Sequence, residues 1–258
     1  WDAVRHRVDQ TGEKGQFILT GSATPNHKGI MHSGAGRIAR IKMRPMSLYE
    51  SGNSCGDVSL EDLCSDKLTP VMTGEVNLMD LIEYIIKGGW PGNLKASIEQ
   101  AALLPIQYID AIKMKLLLRS LARNEATTVT NVSLAKDMKE MDDTEIDKDT
   151  VAEYLDIFQR LFITDNQLPF STNIRSSVRV KQAEKRHFCD PSLACALLKA
   201  TPEMLINDLR TLGFLFEALC ERDLKIYAES FGASLYHYQG YDNKEIDAVI
   251  ELNSGDWC

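Results

Sequence analysis

The sequence predicts a mixed α/β fold with more than one structural module. Two patterns support this prediction: short apolar runs that end in polar turns, and longer segments with apolar residues at helical spacing. At 258 residues the chain is long enough to bury a sizeable core and to form several domains. Hydrophobic residues make up 44% of the chain and charged residues 26%, which is the balance of an ordinary globular protein.

Charge, hydropathy and cysteine usage exclude several classes of protein. The net charge of −8 argues against a general attraction to nucleic acid. No apolar run approaches the roughly 18–20 residues of a membrane-spanning helix, so we expect no membrane association. The six cysteines form no CxxC pair, and no histidine lies at metal-ligand spacing from a cysteine pair. We therefore expect reduced thiols, several of them buried, and a cytoplasmic protein.

The N-terminal part predicts a helix followed by a strand. Residues 1–11 place Trp1, Val4 and Val8 on one helical face. The apolar run 16–20 then ends in a polar turn, as a buried parallel strand does. Ligands of open α/β sheets gather at such carboxyl ends, which makes Thr20 and Ser22 candidate phosphate-sensing residues. An ordinary strand end is the alternative.

The next stretch predicts a half-buried strand and an amphipathic helix. Residues 37–43 alternate between polar and apolar side chains, as a strand with one buried face does. Ser47 is placed to cap a short helix that starts at Leu48. Residues 77–86 carry apolar side chains on one helical face, and the Gly88-Gly89-Trp90-Pro91-Gly92 run predicts an abrupt end to that helix.

The middle of the chain predicts a winged helix. Residues 95–124 are helical in pattern and divided by Pro105, and further helices are expected over 132–138 and 147–161. Two strands around a long basic hairpin follow, over residues 162–188. Helix, helix and β-hairpin is the order of a winged helix, whose second helix can enter a DNA major groove.

The hairpin carries the strongest local basic bias of this acidic protein. Such a patch can neutralise phosphates and make DNA binding salt-sensitive. The alternative is a wing that is solvated or that pairs with acidic surfaces elsewhere in the molecule. It is favoured because the second helix holds several acidic residues that would repel DNA. The candidate DNA contacts are Arg175, Arg179, Lys181, Lys185 and Arg186.

The C-terminal part predicts two helices and a pair of strands. A helix capped by Asp190 or Ser192 runs to residue 199, and a longer one spans 204–231 with a soft interruption at Gly213. Strands are expected over 233–238 and 245–252. Three acidic side chains of this region could assemble a divalent-metal site, although three acids in such an arrangement are common by chance: Glu217, Glu245 and Asp247.

Several short motifs, taken in order, resemble a large group of prokaryotic AAA-type ATPases with a C-terminal domain of unknown function. The resemblance covers nearly the whole chain. It rests on an ordered set, each member of which is only moderately specific: residues 17–24, 34–37, 43–48, 88–92, 117–124, 188–191, 213–217, 236–238 and 245–251.

This resemblance implies an ATP-binding protein with two added modules, a winged helix and a fold like that of restriction endonucleases. Residues 1–92 would be the distal α/β part of a P-loop ATPase domain, 93–199 a helical connector and winged helix, and 200–258 a partial nuclease-like module. Thr20 or Ser22 would contact the γ-phosphate of ATP. Arg37 is the candidate arginine finger, because a guanidinium stabilises charge on a transferring phosphoryl group; an ion pair is its alternative role.

The departures from the family pattern predict that this chain alone is inactive. It has no G-x-x-x-x-G-K-[ST] loop, so the ATP and Mg²⁺ of the full-length protein should not bind tightly here, and the missing elements are expected upstream of Trp1. Glu217 and Asp247 match two positions of the nuclease site, but its E-x-K lysine is absent. The alternatives are a DNA-binding protein or a degenerate metal-dependent nuclease. We also expect binding to a partner protein and assembly into a homo-oligomer.

Overall fold

The structure, a computed structural model, describes residues 2–24, 39–68, 70–72, 74–110, 114–142, 145–170, 183–240 and 244–258. It is a mixed α/β protein in which helices predominate. The helices are α1 (Asp2–Thr11), α2 (Leu60–Cys64), α3 (Leu78–Lys87), α4 (Ile98–Ala101), α5 (Leu103–Asp110), α6 (Lys115–Arg123), α7 (Asn131–Asp142), α8 (Lys148–Arg160), α9 (Pro191–Leu198), α10 (Pro202–Asn207) and α11 (Leu209–Ser230), with a 3-10 turn at Pro91–Asn93.

The main hydrophobic core lies between helices α3, α6, α7, α8, α9 and α11. Their apolar faces follow the helical spacing seen in the sequence, so each helix buries one stripe against its neighbours. The largest fully buried side chains of this core are Phe158, Ile82, Ile85, Leu117, Leu118, Leu134, Met138, Ile163, Leu193, Leu205, Leu215 and Leu219. Burial of this kind stabilises by about 1.5–3 kcal/mol for each large apolar side chain.

Local capping sets the helix ends that the sequence predicts. The Asn77 side chain accepts a hydrogen bond from the Asp80 N–H at the start of α3, and Asp147 does the same for Asp149 and Thr150 at the start of α8. Helix α3 ends at Gly88, whose φ of 62° lies in the left-handed region that glycine tolerates. These predictions are confirmed.

The described strands form one small sheet in the order β1-β2-β3. Strand β1 (Leu168–Pro169) pairs parallel to β2 (Ser234–Gln239), which pairs antiparallel to β3 (Glu245–Glu251). Isolated antiparallel bridges join Thr164 to Phe188 and Gln167 to Lys185. These bridges form the described base of the predicted hairpin, and the β2–β3 pair confirms the two predicted C-terminal strands.

The strand predicted over residues 16–20 is not formed. Ile18 is 90% exposed and the segment has no strand assignment. An apolar run becomes a buried strand only when neighbouring strands satisfy its backbone groups, and no strand of the described part pairs with it. The described part of the predicted 37–43 strand is likewise unpaired, with Ile41 and Met43 both 91% exposed.

Three smaller predictions are corrected by local backbone chemistry. Ser47 accepts a hydrogen bond from the Glu50 N–H, but it caps a turn and not a helix. Pro105 lies in the first turn of α5, where its missing N–H costs nothing, and the helical stretch is divided just before it, at Ala102 between α4 and α5. The long helix is interrupted at Asp208, which caps α11 by accepting from the Thr211 N–H, while Gly213 lies inside α11.

No helix within the described ranges combines the length and the apolar character that a membrane crossing requires.

Candidate functional site: the charged face of helix α11

Helix α11 carries charged side chains at four-residue spacing along a side that faces the protein. Residues four apart in an α-helix lie above one another, so Glu217, Glu221, Lys225 and Glu229 form one row. Burying a charge is costly unless it is paired, and each of these side chains has an ionic partner. The row therefore marks the most elaborate polar structure of the described protein.

The first part of this row belongs to what we call the lysine cluster: Lys185, Glu217, Glu245 and Asp247. The Lys185 Nζ lies 2.5 Å from Glu217 Oε1, 2.8 Å from Glu245 Oε1 and 2.7 Å from Asp247 Oδ1. The lysine side chain is 3% exposed, whereas the side chain of Asp247 is 61% exposed. One buried ammonium thus pairs with three carboxylates at the protein surface.

Backbone pairing puts the lysine in this position. Lys185 and Gln167 exchange two backbone hydrogen bonds of 3.0 Å, and the Gln167 side chain donates to the Asp247 carbonyl oxygen at 2.8 Å. The 183–188 segment is therefore fastened to both the hairpin base and strand β3. This is the lysine that the sequence pattern assigned to DNA contacts, and the fold turns it towards the acidic cluster.

The charges of the lysine cluster do not balance. Burial alone would lower the pKa of Lys185, but the hydrogen bonds that its ammonium donates to Asp247, Glu217 and Glu245 raise it, so the ammonium stays charged. Burial raises the pKa of Glu217 above its ordinary value, and Lys185 only partly opposes that shift.

Across the described residues, no three His, Cys, Asp or Glu side chains are arranged to hold a metal ion.

The second part of the row belongs to the Asp165 cluster: Lys42, Arg44, Asp165, Lys225 and Glu229. The Asp165 carboxylate accepts from Lys42 Nζ at 2.6 Å, lies 3.2 Å from Lys225 Nζ and pairs with Arg44. Arg44 Nε also donates to Glu229 Oε2 at 2.7 Å. This cluster therefore fastens residues 42–44 to the loop after α8 and to the end of α11.

Electrostatics favour the charged form of Asp165. Burial would raise the pKa of its carboxyl, but Lys225, Arg44 and Lys42 outweigh that effect and hold the pKa well below its usual range. Lys225 is itself paired with Glu221 at 3.0 Å, one helical turn earlier. The Asp165 cluster is thus a nearly balanced ionic network, in contrast to the lysine cluster.

A third, fully buried group joins α11 to the backbone of the N-terminal half. Asp190 Oδ2 accepts from the Gly89 N–H at 2.8 Å and from Arg222 Nη1 at 2.7 Å. Asp223 Oδ2 accepts from the Leu48 N–H at 2.8 Å, and its other oxygen pairs with Arg222. A Cβ on Gly88 would collide with the Asp190 side chain, which explains the glycine there.

A buried histidine lies beside the row. His187 Nδ1 is 3.3 Å from Glu125 Oε1, and the two side chains are 1% and 3% exposed. Burial would lower the pKa of His187, but the negative charge of Glu221 and the contact with Glu125 raise it. Burial raises the pKa of Glu125. No sequence pattern predicts this pair, because its members lie 62 positions apart.

The structure brings together only part of the residues predicted from sequence. Glu217 and Asp247 do meet, in the lysine cluster. Thr20 and Ser22 are exposed in a segment without strand pairing. Arg186 is half-buried beside Glu184 and Asn131. The remaining predicted residues lie outside the described ranges: Arg37, Arg175, Arg179 and Lys181.

Sequence reasoning missed Asp165, Lys225 and Arg44 as members of a site. The four-residue repeat of charge along residues 217–229 was a usable signal, because charged residues at this spacing lie on one face of a helix. The partners of that face come from distant parts of the chain and carry no comparable pattern.

Comparison with known proteins places only the middle of the chain. No curated protein and no solved structure matches it. A family model matches residues 78–204, a segment that contains Asp165, Lys185 and Asp190 and ends before α11. It therefore includes residues that contact the charged face of α11 but not the face itself. Over residues 78–204 the chain is similar to a family described as a domain of unknown function (DUF8612).

Proposed function

We propose that this chain is part of an ATP-binding and ATP-hydrolysing protein of the AAA type, whose C-terminal modules hold the ATPase segment and recognise a partner. The observation that supports this is the fastening of residues 42–48 by α11 and its neighbours. Arg44 pairs with Asp165 and Glu229, and the Leu48 N–H is bound by Asp223.

These contacts connect the segment that resembles the ATPase domain to the C-terminal modules. Residues 43–48 belong to the segment that resembles the ATPase domain, whereas Asp165, Asp223 and Glu229 belong to the added modules. Charge-assisted hydrogen bonds are roughly twice as strong as neutral ones. A displacement of residues 42–48 would break several of these bonds. A nucleotide-dependent shift of this segment would therefore change the ionic contacts of α11.

The lysine cluster supports a recognition role for the C-terminal module in place of catalysis. The Lys185 ammonium fills the space between the three carboxylates where a cation would otherwise lie. A Mg²⁺ ion requires near-octahedral oxygen ligands at about 2.1 Å and would have to displace that lysine. The residues as arranged do not fit a metal ion.

A partner protein is favoured over DNA. Of the five basic residues predicted to contact DNA, Lys185 is buried among carboxylates and Arg186 is half-buried beside Glu184. The exposed carboxylates of Glu245 and Asp247 would repel a phosphate backbone, since their cluster carries excess negative charge. A homo-oligomer, as an arginine finger acting between subunits would need, is a further proposal.

The ATPase proposal is tested by hydrolysis measurements on the full-length gene product. We expect turnover of ATP with Mg²⁺, a loss of about 10³-fold in Arg37→Ala because an arginine finger contributes that much, and no turnover by the 258-residue chain. Arg40→Ala is the matched control, three positions away, and should retain turnover. Absence of both ATP binding and hydrolysis in the full-length protein would overturn the proposal.

One observation favours the nuclease alternative, namely the convergence of Glu217 and Asp247 next to a lysine. Plasmid cleavage by the full-length protein in Mg²⁺ or Mn²⁺ tests it, with Asp247→Asn as the control. Cleavage that disappears in this variant would establish a nuclease, and we expect no cleavage because Lys185 occupies the cluster.

A further inference from the structure

Two cysteines that are far apart in the sequence meet in the structure. The Sγ atoms of Cys64 and Cys258 lie 2.8 Å apart, although 194 positions separate the two residues. Both thiols are free. A disulfide bond is about 2.0 Å long, so the sulfur atoms would have to approach by less than about 1 Å to bond. The two sulfur atoms are therefore within about 1 Å of bonding distance.

Backbone and packing contacts hold both thiols in place. Cys258 exchanges two backbone hydrogen bonds with Ile250 of strand β3, of 2.8 and 3.0 Å. Cys64 ends helix α2, which is capped by Ser59, and packs with Leu60 against a small hydrophobic cluster formed by Ala228, Ala233, Leu235 and Ile250. Two elements of fixed position thus present the thiols to each other.

We propose that Cys64 and Cys258 form a reversible disulfide that fastens helix α2 to the segment paired with strand β3. The proposal rests on the close approach of the two sulfurs and on the accessibility of Cys258, which is exposed. The other cysteines have no such partner in the described residues: Cys55 is exposed on a loop, Cys189 and Cys195 are buried, and Cys220 is half-buried.

The oxidant is a low-molecular-weight disulfide such as oxidised glutathione. The Cys258 thiolate attacks one of its sulfurs, forms a mixed disulfide and releases one reduced glutathione. The Cys64 sulfur then loses its proton, attacks Cys258 Sγ and releases the second glutathione. The two protein thiols are oxidised by two electrons, and the two glutathione sulfurs are reduced.

Exposure and acidity set the order of these two steps. Burial, together with the neighbouring Cys258 sulfur, raises the pKa of Cys64 to about 12, so at neutral pH this group is almost entirely a thiol. Because the thiolate is the attacking species, the exposed Cys258 reacts first and Cys64 serves as the resolving thiol.

The bond would restrain a mostly exposed part of the molecule. Helix α2 has no fully buried residue, and the loop on either side of it is mostly exposed. A cross-link between such distant residues removes many conformations from the unfolded chain. We therefore expect oxidation to raise the midpoint of thermal unfolding by about 5 °C or more, and dithiothreitol to reverse that rise.

Oxidation of the chain with oxidised glutathione, followed by thiol counting and peptide mapping, tests the proposal. The wild type should fall from six thiols to four, with Cys64 linked to Cys258. Cys64→Ser should instead retain glutathione on Cys258 and show no thermal shift. Cys55→Ser is the matched control, since Cys55 is an exposed cysteine on the loop before α2. This variant should fall from five thiols to three, with the same link between Cys64 and Cys258.

Three results would overturn the proposal. These are six thiols left in the wild type, stable glutathione on Cys258 of the wild type without a link to Cys64, or a link that involves Cys55.

Discussion

The charged side chains at the two ends of the charged face of α11 are paired in different ways. Near Glu217 one lysine meets three carboxylates, two of which are largely exposed, and the cluster keeps a negative charge. Near Glu229 the cations and carboxylates nearly balance, and the central Asp165 is only 14% exposed. The balanced end holds a segment of the chain in place, whereas the unbalanced end presents charge to solvent.

From this difference we expect substitutions at the two ends of the row to change the free energy of unfolding by different amounts. Removing one member of a buried, balanced network leaves charges without partners, which is costly. Removing an exposed member of an unbalanced cluster costs little, because water already screens it. The stability effects of substitutions should therefore follow burial and balance and not the number of ion pairs.

The largest effect is expected from Asp165→Asn. It leaves Lys225, Arg44 and Lys42 without their shared carboxylate, and we expect a loss of about 2–4 kcal/mol in the free energy of unfolding at pH 7. Chemical denaturation measures it. Because the pKa of Asp165 is depressed, its contribution is present above its ordinary pKa of about 4, and the difference from wild type should shrink below that pH.

Glu229→Gln is the matched control for that substitution. Its side chain is 47% exposed at the edge of the same cluster, so we expect a loss within about 0.5–1 kcal/mol. Equal losses in the two variants would contradict the idea that Asp165 is the centre of the network.

A smaller effect is expected from Lys185→Met, which removes the cation and keeps the apolar stem. We expect a loss of about 1–3 kcal/mol at pH 7, because three carboxylates then repel one another. Without Lys185 the pKa of Glu217 rises further above its ordinary value. A carboxyl with a raised pKa costs stability above its unfolded pKa, so this penalty should fade already as the pH falls towards about 5.

Denaturation curves of Lys185→Met and Asp165→Asn at several pH values distinguish the two ends of the row. A Lys185→Met penalty that persists unchanged at pH 4 would contradict the excess of negative charge that we assign to the lysine cluster.

The smallest effect is expected from Asp247→Asn. This side chain is 61% exposed and belongs to the cluster with excess negative charge, so the change should stay within about 0.5 kcal/mol in either direction. A thermal melt checks it beside Lys185→Met. A loss as large as that of the lysine variant would mean that the pair with Asp247 dominates the cluster.

The sequence predicted most of the elements but little of their assembly. Capping residues such as Asn77 and Asp147 and the apolar spacing of α3 and α8 are local signals, and the corresponding helices are confirmed. The apolar run at 16–20 carries the same kind of signal but forms no strand, because pairing depends on neighbours that the run itself does not encode.

The candidate site was predictable only in part for the same reason. Glu217 and Asp247 stood out as acids on a helix and an adjoining strand, and they do meet. Pairing of the basic hairpin with acidic side chains elsewhere was one of the alternatives, and Lys185 makes such pairs. Which basic residue does so was not predictable, since Lys185 reaches the carboxylates through its backbone pairing with Gln167. Asp165, in a loop, had no distinguishing pattern at all.

The most direct test of the hold on residues 42–48 is amide hydrogen exchange in Asp165→Asn. The Met46 and Leu48 amides, bonded to the Gly89 carbonyl and to Asp223, should exchange at least about tenfold faster than in the wild type. The Ile250 amide in β3 should accelerate by a smaller factor. Unchanged exchange at Met46 and Leu48, or equal acceleration at Ile250, would contradict the claim that the Asp165 cluster holds this segment to α11.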